Sequence, residues 1–202
     1  MLEDTMSRDA ETGTHSLLPP LNLPRYDQLP SFGIYVDQLI SFVNETVQFS
    51  YMPDEKALTA SMVNNYVKQG VVPKPEKKKY SRNHIAYLIV VCILKKVFSI
   101  QEITSLITRQ IKAHPTPGAY DSFIVALEKS LAEVFSQPSN LAEVFSQPSN
   151  LAEVFSQPSS HKKTKGDTPF DNLLMDRAVL TFSNKLFVQI KMLHNAEDQK
   201  RS

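Results

Sequence analysis

From Ile85 to Leu94 the chain reads IAYLIVVCIL, with no charged residue to interrupt it. A bilayer-spanning helix takes about 18 or more such residues, so a run this short suits a helix buried in a protein core. Ser81 stands where it can cap that helix, which is expected to run to about Val97 with Ile85, Leu88, Ile89, Cys92 and Ile93 inward. Cys92 is the only cysteine. One cysteine gives no disulfide framework and no cysteine-based metal site, and its surroundings suit a small buried hydrophobe.

The segments on either side of this run carry sharp local signals. Thr59 is a suitable N-cap for a short helix over Ala60–Gln69, and Gly70 fits the left-handed position just past its end. Met62, Val63 and Tyr66 give that helix an apolar face, which leaves Ser61, Asn64, Asn65 and Lys68 for the other side. Asparagine can pair with adenine through two hydrogen bonds in the major groove, so the polar face is suited to reading base edges. Next comes VVPKPEKKKY, stiffened by Pro73 and Pro75, with Lys74, Lys77, Lys78 and Lys79 set against Glu76. Arg82 follows at the start of the apolar helix. A rigid basic turn beside a polar helix puts cations where a phosphate backbone would run. Tyr80 is expected to anchor the turn to the core, and His84 to cap the helix or lie on its phosphate side. Downstream, Ser99 and Glu102 form a Ser-x-x-Glu capping box for a helix carrying Ile103, Leu106, Ile107 and Ile111, which His114–Gly118 ends.

Charge is distributed unevenly, although the net value is only +1. Residues 1–60 hold three Lys/Arg against nine Asp/Glu, residues 61–130 eleven against four, and residues 131–202 eight of each. The basic third contains the lysine turn, which suggests a polyanionic partner.

Outside the central stretch, residues 1–16 have the composition of a disordered arm, acidic and polar rather than secretory. Pro19, Pro20, Pro24 and Pro30 favour an extended strap whose Leu17, Leu21, Leu23 and Tyr26 can dock on the body. A first helix is expected from Ile34 to Phe49, with Ile34, Leu39, Phe42, Val43 and Val47 largely on one face. Further on, Tyr120, Phe123, Ile124, Leu127, Leu131, Val134 and Phe135 recur at helical spacing. LAEVFSQPSN at 131–140 is repeated without change at 141–150 and again at 151–160, with Ser160 for Asn. Copies of ten residues are too short for solenoid units and suggest a tandem duplication that forms short amphipathic helices or a loose insertion. A polar linker over 161–169 precedes a last helix, on which Met175, Val179, Phe182, Leu186, Ile190 and Leu193 form a stripe flanked by Leu173, Leu180 and Phe187. That stripe is expected to pack on the Tyr120–Phe135 helix or to form a homodimer.

The order of recognition helix, Gly-apolar-apolar-Pro exit, basic wing, Tyr-Ser helix opening and Ser-x-x-Glu-Ile helix over Leu58–Ile107 resembles the MerR-type winged helix-turn-helix. More specifically, residues 24–135 resemble the bacterial domain of unknown function eighteen-thirty-six family. The residues that carry this are Leu29-Pro30, Tyr35, Asp37-Gln38, Leu58 through Lys68, and Lys74-Pro75 through Tyr80-Ser81. The resemblance implies a MerR-like fold and a role in transcription regulation. Against the MerR pattern, Asn64, Asn65 and Tyr66 replace an arginine and two aromatics, the wing is shorter and lacks its glycine turn, and the loop between the first two helices is longer.

The expected architecture is therefore mainly α. It comprises a winged helix-turn-helix with a minimal wing and N-terminal strap over 17–118, then a C-terminal helical region over 119–202 that packs as a small bundle. The leading expectation is a cytoplasmic DNA-binding transcriptional regulator whose partner is double-stranded DNA. Ser61, Asn64, Asn65 and Lys68 would approach bases, while Lys74, Lys77, Lys78, Lys79 and Arg82 would hold phosphates. The alternative is a protein-interaction adaptor on the same scaffold. The five histidines are scattered, with no metal-ligand spacing and no phosphate-cradling glycine loop, so neither an enzyme, a metal nor a cofactor is expected.

Overall fold

A computed structural model describes residues 21, 23–52, 54–136 and 169–201. The expected N-terminal arm, Leu17, most of the decapeptide tract and the linker up to residue 168 lie outside the described residues. Among the described residues there are six α-helices: α1 (Val36–Val47), α2 (Ala60–Lys68), α3 (Arg82–Leu94), α4 (Ile100–Ala113), α5 (Thr116–Ser136) and α6 (Pro169–Arg201), with 3-10 turns at Tyr26–Gln28 and Gln48–Ser50. Among the described residues the only β-pairing is two isolated bridges, Ile34 with Tyr80 and Glu76 with Lys79. The fold is mainly α.

Helix α3 is the central post. Every residue from Ile85 to Leu94 is buried except Tyr87, which is half-buried, because α1, α4, α5 and α6 all pack against it. Burying each large aliphatic side chain is worth about 1.5–3 kcal/mol, which gives the surrounding helices their reason to converge. The helix is shorter than its apolar pattern predicts. After Leu94 the backbone tightens into a turn in which the Phe98 N–H still reaches the Leu94 carbonyl at 2.9 Å. Lys95 and Lys96 are thereby aimed at the loop before α2. Lys95 Nζ donates to the Ala57 carbonyl, and Lys96 Nζ lies 3.1 Å from Glu55 and 4.1 Å above the Tyr51 ring. Tyr51 donates its hydroxyl to the Cys92 carbonyl at 2.6 Å. The long α1–α2 connection is thus fastened to the end of α3.

Two boundaries differ from the sequence pattern. Ile34, expected in the first helix, is extended and bridged to Tyr80, and α1 begins after Tyr35, whose N–H is taken by the Gln38 side chain at 3.0 Å. The His114–Gly118 breaker shrinks to a near-immediate junction: His114 closes α4, and α5 starts at Thr116 with Pro117 and Gly118 in its first turn. Proline is tolerated there because first-turn N–H groups have no helical partner. Residue 118 consequently lies inside α5, and one apolar cluster runs from Leu23 to Leu186 across it.

Of the two packing options for the last helix, the structure shows α6 against α5, with further contact to α4 and α3. Met175, Val179, Phe182 and Leu186 are buried. Phe182 meets Phe49 edge-on at 6.5 Å, and Phe187 meets Phe135 at 5.3 Å. The stripe reaches the surface near Ile190, where Leu193 is exposed. On the other side of the body the strap is pinned to α5. Leu23 and Leu29 are buried, Tyr26 N–H donates to Asp121 at 2.7 Å, Tyr120 donates to the Pro24 carbonyl at 3.0 Å, and Arg25 pairs with Glu128.

Candidate nucleic-acid interface

Helix α2 is short, and its outward face is the polar one. Thr59 accepts the Met62 N–H at 3.3 Å as its N-cap, Val63 and Tyr66 are buried, and Ser61, Asn64, Asn65 and Lys68 are exposed. Asn65 accepts from the Gln69 amide at 3.2 Å, one turn on. Gly70 then takes φ +73, the left-handed region that a Cβ disfavours. The chain reverses there. The N–H groups of Val71 and Val72 both point to the Tyr66 carbonyl, at 3.0 and 3.4 Å, and both valines are buried.

The lysine loop therefore starts at the foot of α2 and is held at three further points. The imidazole of His84, itself buried, lies with Nε2 3.4 Å from the Lys74 carbonyl, while its Nδ1 accepts the Ser81 N–H at 2.9 Å. The accepting Nδ1 leaves Nε2 as the donor to Lys74, so one ring caps α3 and tethers the loop entrance. At the tip, Glu76 and Lys79 exchange backbone hydrogen bonds of 3.2 and 2.8 Å. At the exit, Tyr80 is buried and exchanges bonds of 2.8 and 3.0 Å with Ile34. Burial pushes the Tyr80 phenol above its ordinary value and the Tyr66 phenol up to about 12, so both ends of the loop rest on neutral phenols.

Between the tip bonds, Lys77 and Lys78 have φ of 47 and 63. Two consecutive positive-φ residues are the requirement of a type I′ hairpin turn, a position that Asn-Gly fills most readily. Lysine carries a Cβ there, at a cost of roughly 1–2 kcal/mol per residue. Lys74, Lys77, Lys78 and Lys79 are all exposed. The hairpin thus holds a cluster of lysines away from the body on a backbone that lysine does not prefer.

Arg82 stands apart from the other cations that the sequence singles out. It is half-buried, with its guanidinium 5.4 Å from the Tyr26 ring of the strap. It supports the strap more directly than it faces the hairpin.

Three residues at this site carry no signal that the helical periodicity could register. Phe32 and Tyr35 are exposed, at 70% and 57%, on either side of the bridged Ile34. The Tyr35 ring lies 5.7 Å from Lys79 Nζ. A Cβ on Gly33 would come 3.0 Å from the Lys79 Cβ, so any other residue here would have to push the lysine stem aside by a few tenths of an ångström. An alternation of exposed aromatic, glycine, buried aliphatic and exposed aromatic is an extended pattern, and assigning Ile34 to a helix hides it.

In the comparisons with known proteins, residues 24–123 match the model of the family described as Domain of unknown function (DUF1836). No curated protein and no solved structure matches the chain.

Proposed function

Taking residues 24–123 as a domain of that family, we propose that it binds double-stranded DNA as a transcriptional regulator, in the manner of a MerR-like winged helix-turn-helix. The α2 face of Ser61, Asn64, Asn65 and Lys68 approaches base edges in the major groove, and Lys74, Lys77, Lys78 and Lys79 on the hairpin hold the flanking phosphates. Arg82 contributes from the edge of this surface. The observation that carries the reading is the turn at Gly70, which makes an exposed Asn-bearing helix and an exposed lysine hairpin consecutive and ties both to buried tyrosines. In this role the chain is a binder, not an enzyme, and needs no cofactor.

The test is selection of bound duplexes from a random pool at two salt concentrations, followed by titration of a selected duplex. Affinity is expected to fall steeply with salt, and changing Lys77, Lys78 and Lys79 to Ala should lower the log–log salt slope by roughly 0.9 per lysine. Absence of duplex binding, or binding indifferent to salt, overturns the proposal.

A specific observation favours a second contact of another kind. Val188, Met192 and Leu193 are exposed on α6 where it emerges from the body, which suits a homodimer or an adaptor's protein partner. Sedimentation of the full chain, compared with a Val188→Glu/Met192→Glu variant, tests the dimer: an unchanged monomer in both rules it out.

A further inference from the structure

We infer that Phe32 is a wedge that enters the minor groove beside the lysine hairpin and unstacks a base step of the bound duplex; this rests on the DNA-binding proposal above. The segment that carries the ring is rigid. Leu29 and Ile34, on either side of it, are almost fully buried. Ile34 is also locked to Tyr80 by two backbone hydrogen bonds, and Gly33 rests on the stem of Lys79. The chain between these anchors has no slack with which to fold Phe32 back, and the ring remains 70% exposed.

Its neighbours decide what the ring is for. An exposed aromatic at a protein–protein contact is expected among other apolar groups, and lysine is depleted at such contacts. Here the residue after Phe32, Gly33, rests on the Lys79 stem, the Tyr35 ring lies 5.7 Å from the Lys79 ammonium, and Lys77 and Lys78 occupy the hairpin tip immediately before Lys79. A projecting ring on a segment that packs against a lysine hairpin complements a polyanion that also offers flat apolar faces. Duplex DNA has that chemistry, since phosphates line the groove and bases stack within it. Proteins that bend DNA insert Phe and similar side chains between base steps in this way, and the bent duplex then wraps more protein surface, which offsets the unstacking. Tyr35 is already engaged by Lys79, which leaves Phe32 as the ring for the wedge.

The experiment uses the full chain, a mixed-sequence duplex with donor and acceptor dyes at its ends, and the matching single strand. The expected result is that wild-type protein brings the dyes closer. Phe32→Ala should bind about tenfold more weakly, in line with the loss of one base–aromatic contact, with the salt slope unchanged. It should no longer change the end-to-end transfer, whereas Phe32→Leu retains most of the bend. The Lys77→Ala/Lys78→Ala/Lys79→Ala variant separates the two proposals, because it loses salt slope through the phosphates alone. If that variant weakens binding while Phe32→Ala matches wild type in affinity and bend, the wedge is overturned and the DNA-binding proposal stands. A Phe32→Ala effect seen only with the single strand also overturns the wedge. Failure of wild-type protein to bind duplex removes both.

Discussion

Helix α3 and the hairpin that precedes it are adjacent in sequence and opposite in physics. In α3, ten consecutive residues are inserted among four other helices, and nine of them are buried. Its position is over-determined, because any displacement exposes apolar surface at about 25 cal/mol per Å². The hairpin from Lys74 to Lys79 is exposed apart from Pro75, which is half-buried. A handful of hydrogen bonds and two unfavourable φ angles define its shape. The core supplies the stability that lets the chain keep a costly, charged projection at its edge. The part of the molecule with least claim on folding free energy is the part to which the proposed function assigns the partner.

The first way to break this comparison is to damage the post. Leu88→Ala or Ile89→Ala, each at a fully buried site, is expected to destabilise the fold by about 2–5 kcal/mol, read from urea midpoints. A loss below about 1 kcal/mol would mean that α3 is not a packed centre.

A second test sharpens the same contrast through pH. Burial pushes the Cys92 thiol up to about 12 from its ordinary 9.0, with the nearby Lys95 pulling slightly the other way. The unfolded thiol therefore ionises first as pH rises. The stability tied to keeping it neutral is complete below 9 and is lost progressively toward 12. The thiol is expected to contribute about 1.4 kcal/mol per pH unit within that window, and Cys92→Ala should lower the slope by that amount between pH 9 and 10, below the range where the buried Tyr66 and Tyr80 phenols add slopes of their own. An identical alkaline slope in wild type and variant would show that the thiol is not sequestered.

The smallest effect concerns the turn itself. Lys77→Asn with Lys78→Gly replaces two strained positions with the residues that accept positive φ, and is expected to raise stability by about 1 kcal/mol. If the hairpin holds DNA as proposed, the same change removes two of the inferred phosphate contacts and should weaken duplex binding. If stability does not rise, the tip is unstrained. If stability rises and binding is untouched, these lysines face away from the partner.

How much of this is legible in the residues follows from the range of the forces involved. The caps at Thr59 and Ser99, the glycine at the end of α2 and the buried run in α3 are local or periodic features. Each appears close to where the residues predict it, although α3 ends three residues early at Leu94. Tyr80 anchors its loop as expected, and His84 caps its helix. The Ile34–Tyr80 bridge is hidden because Ile34 also satisfies a helical face, and only a partner distant in sequence decides between the two. Gly33 owes its role to a lysine stem that approaches from another segment, and Arg82 to a tyrosine of the strap. None of those three relations leaves a periodic trace. The basic and asparagine-bearing surface is readable as composition, while its aromatic edge at Phe32 and Tyr35 emerges only from three-dimensional neighbours.

The Ile34–Tyr80 bridge also has a consequence in time. Its two residues stand far apart along the chain, and closing so large a loop costs entropy before the two backbone bonds return anything. The frame of the hairpin is therefore expected to close after α1 has docked on α3, an order that φ values at Ile34 and Val43 would test. It should also be among the first places to open, well before the central helix surrenders its amides to solvent exchange.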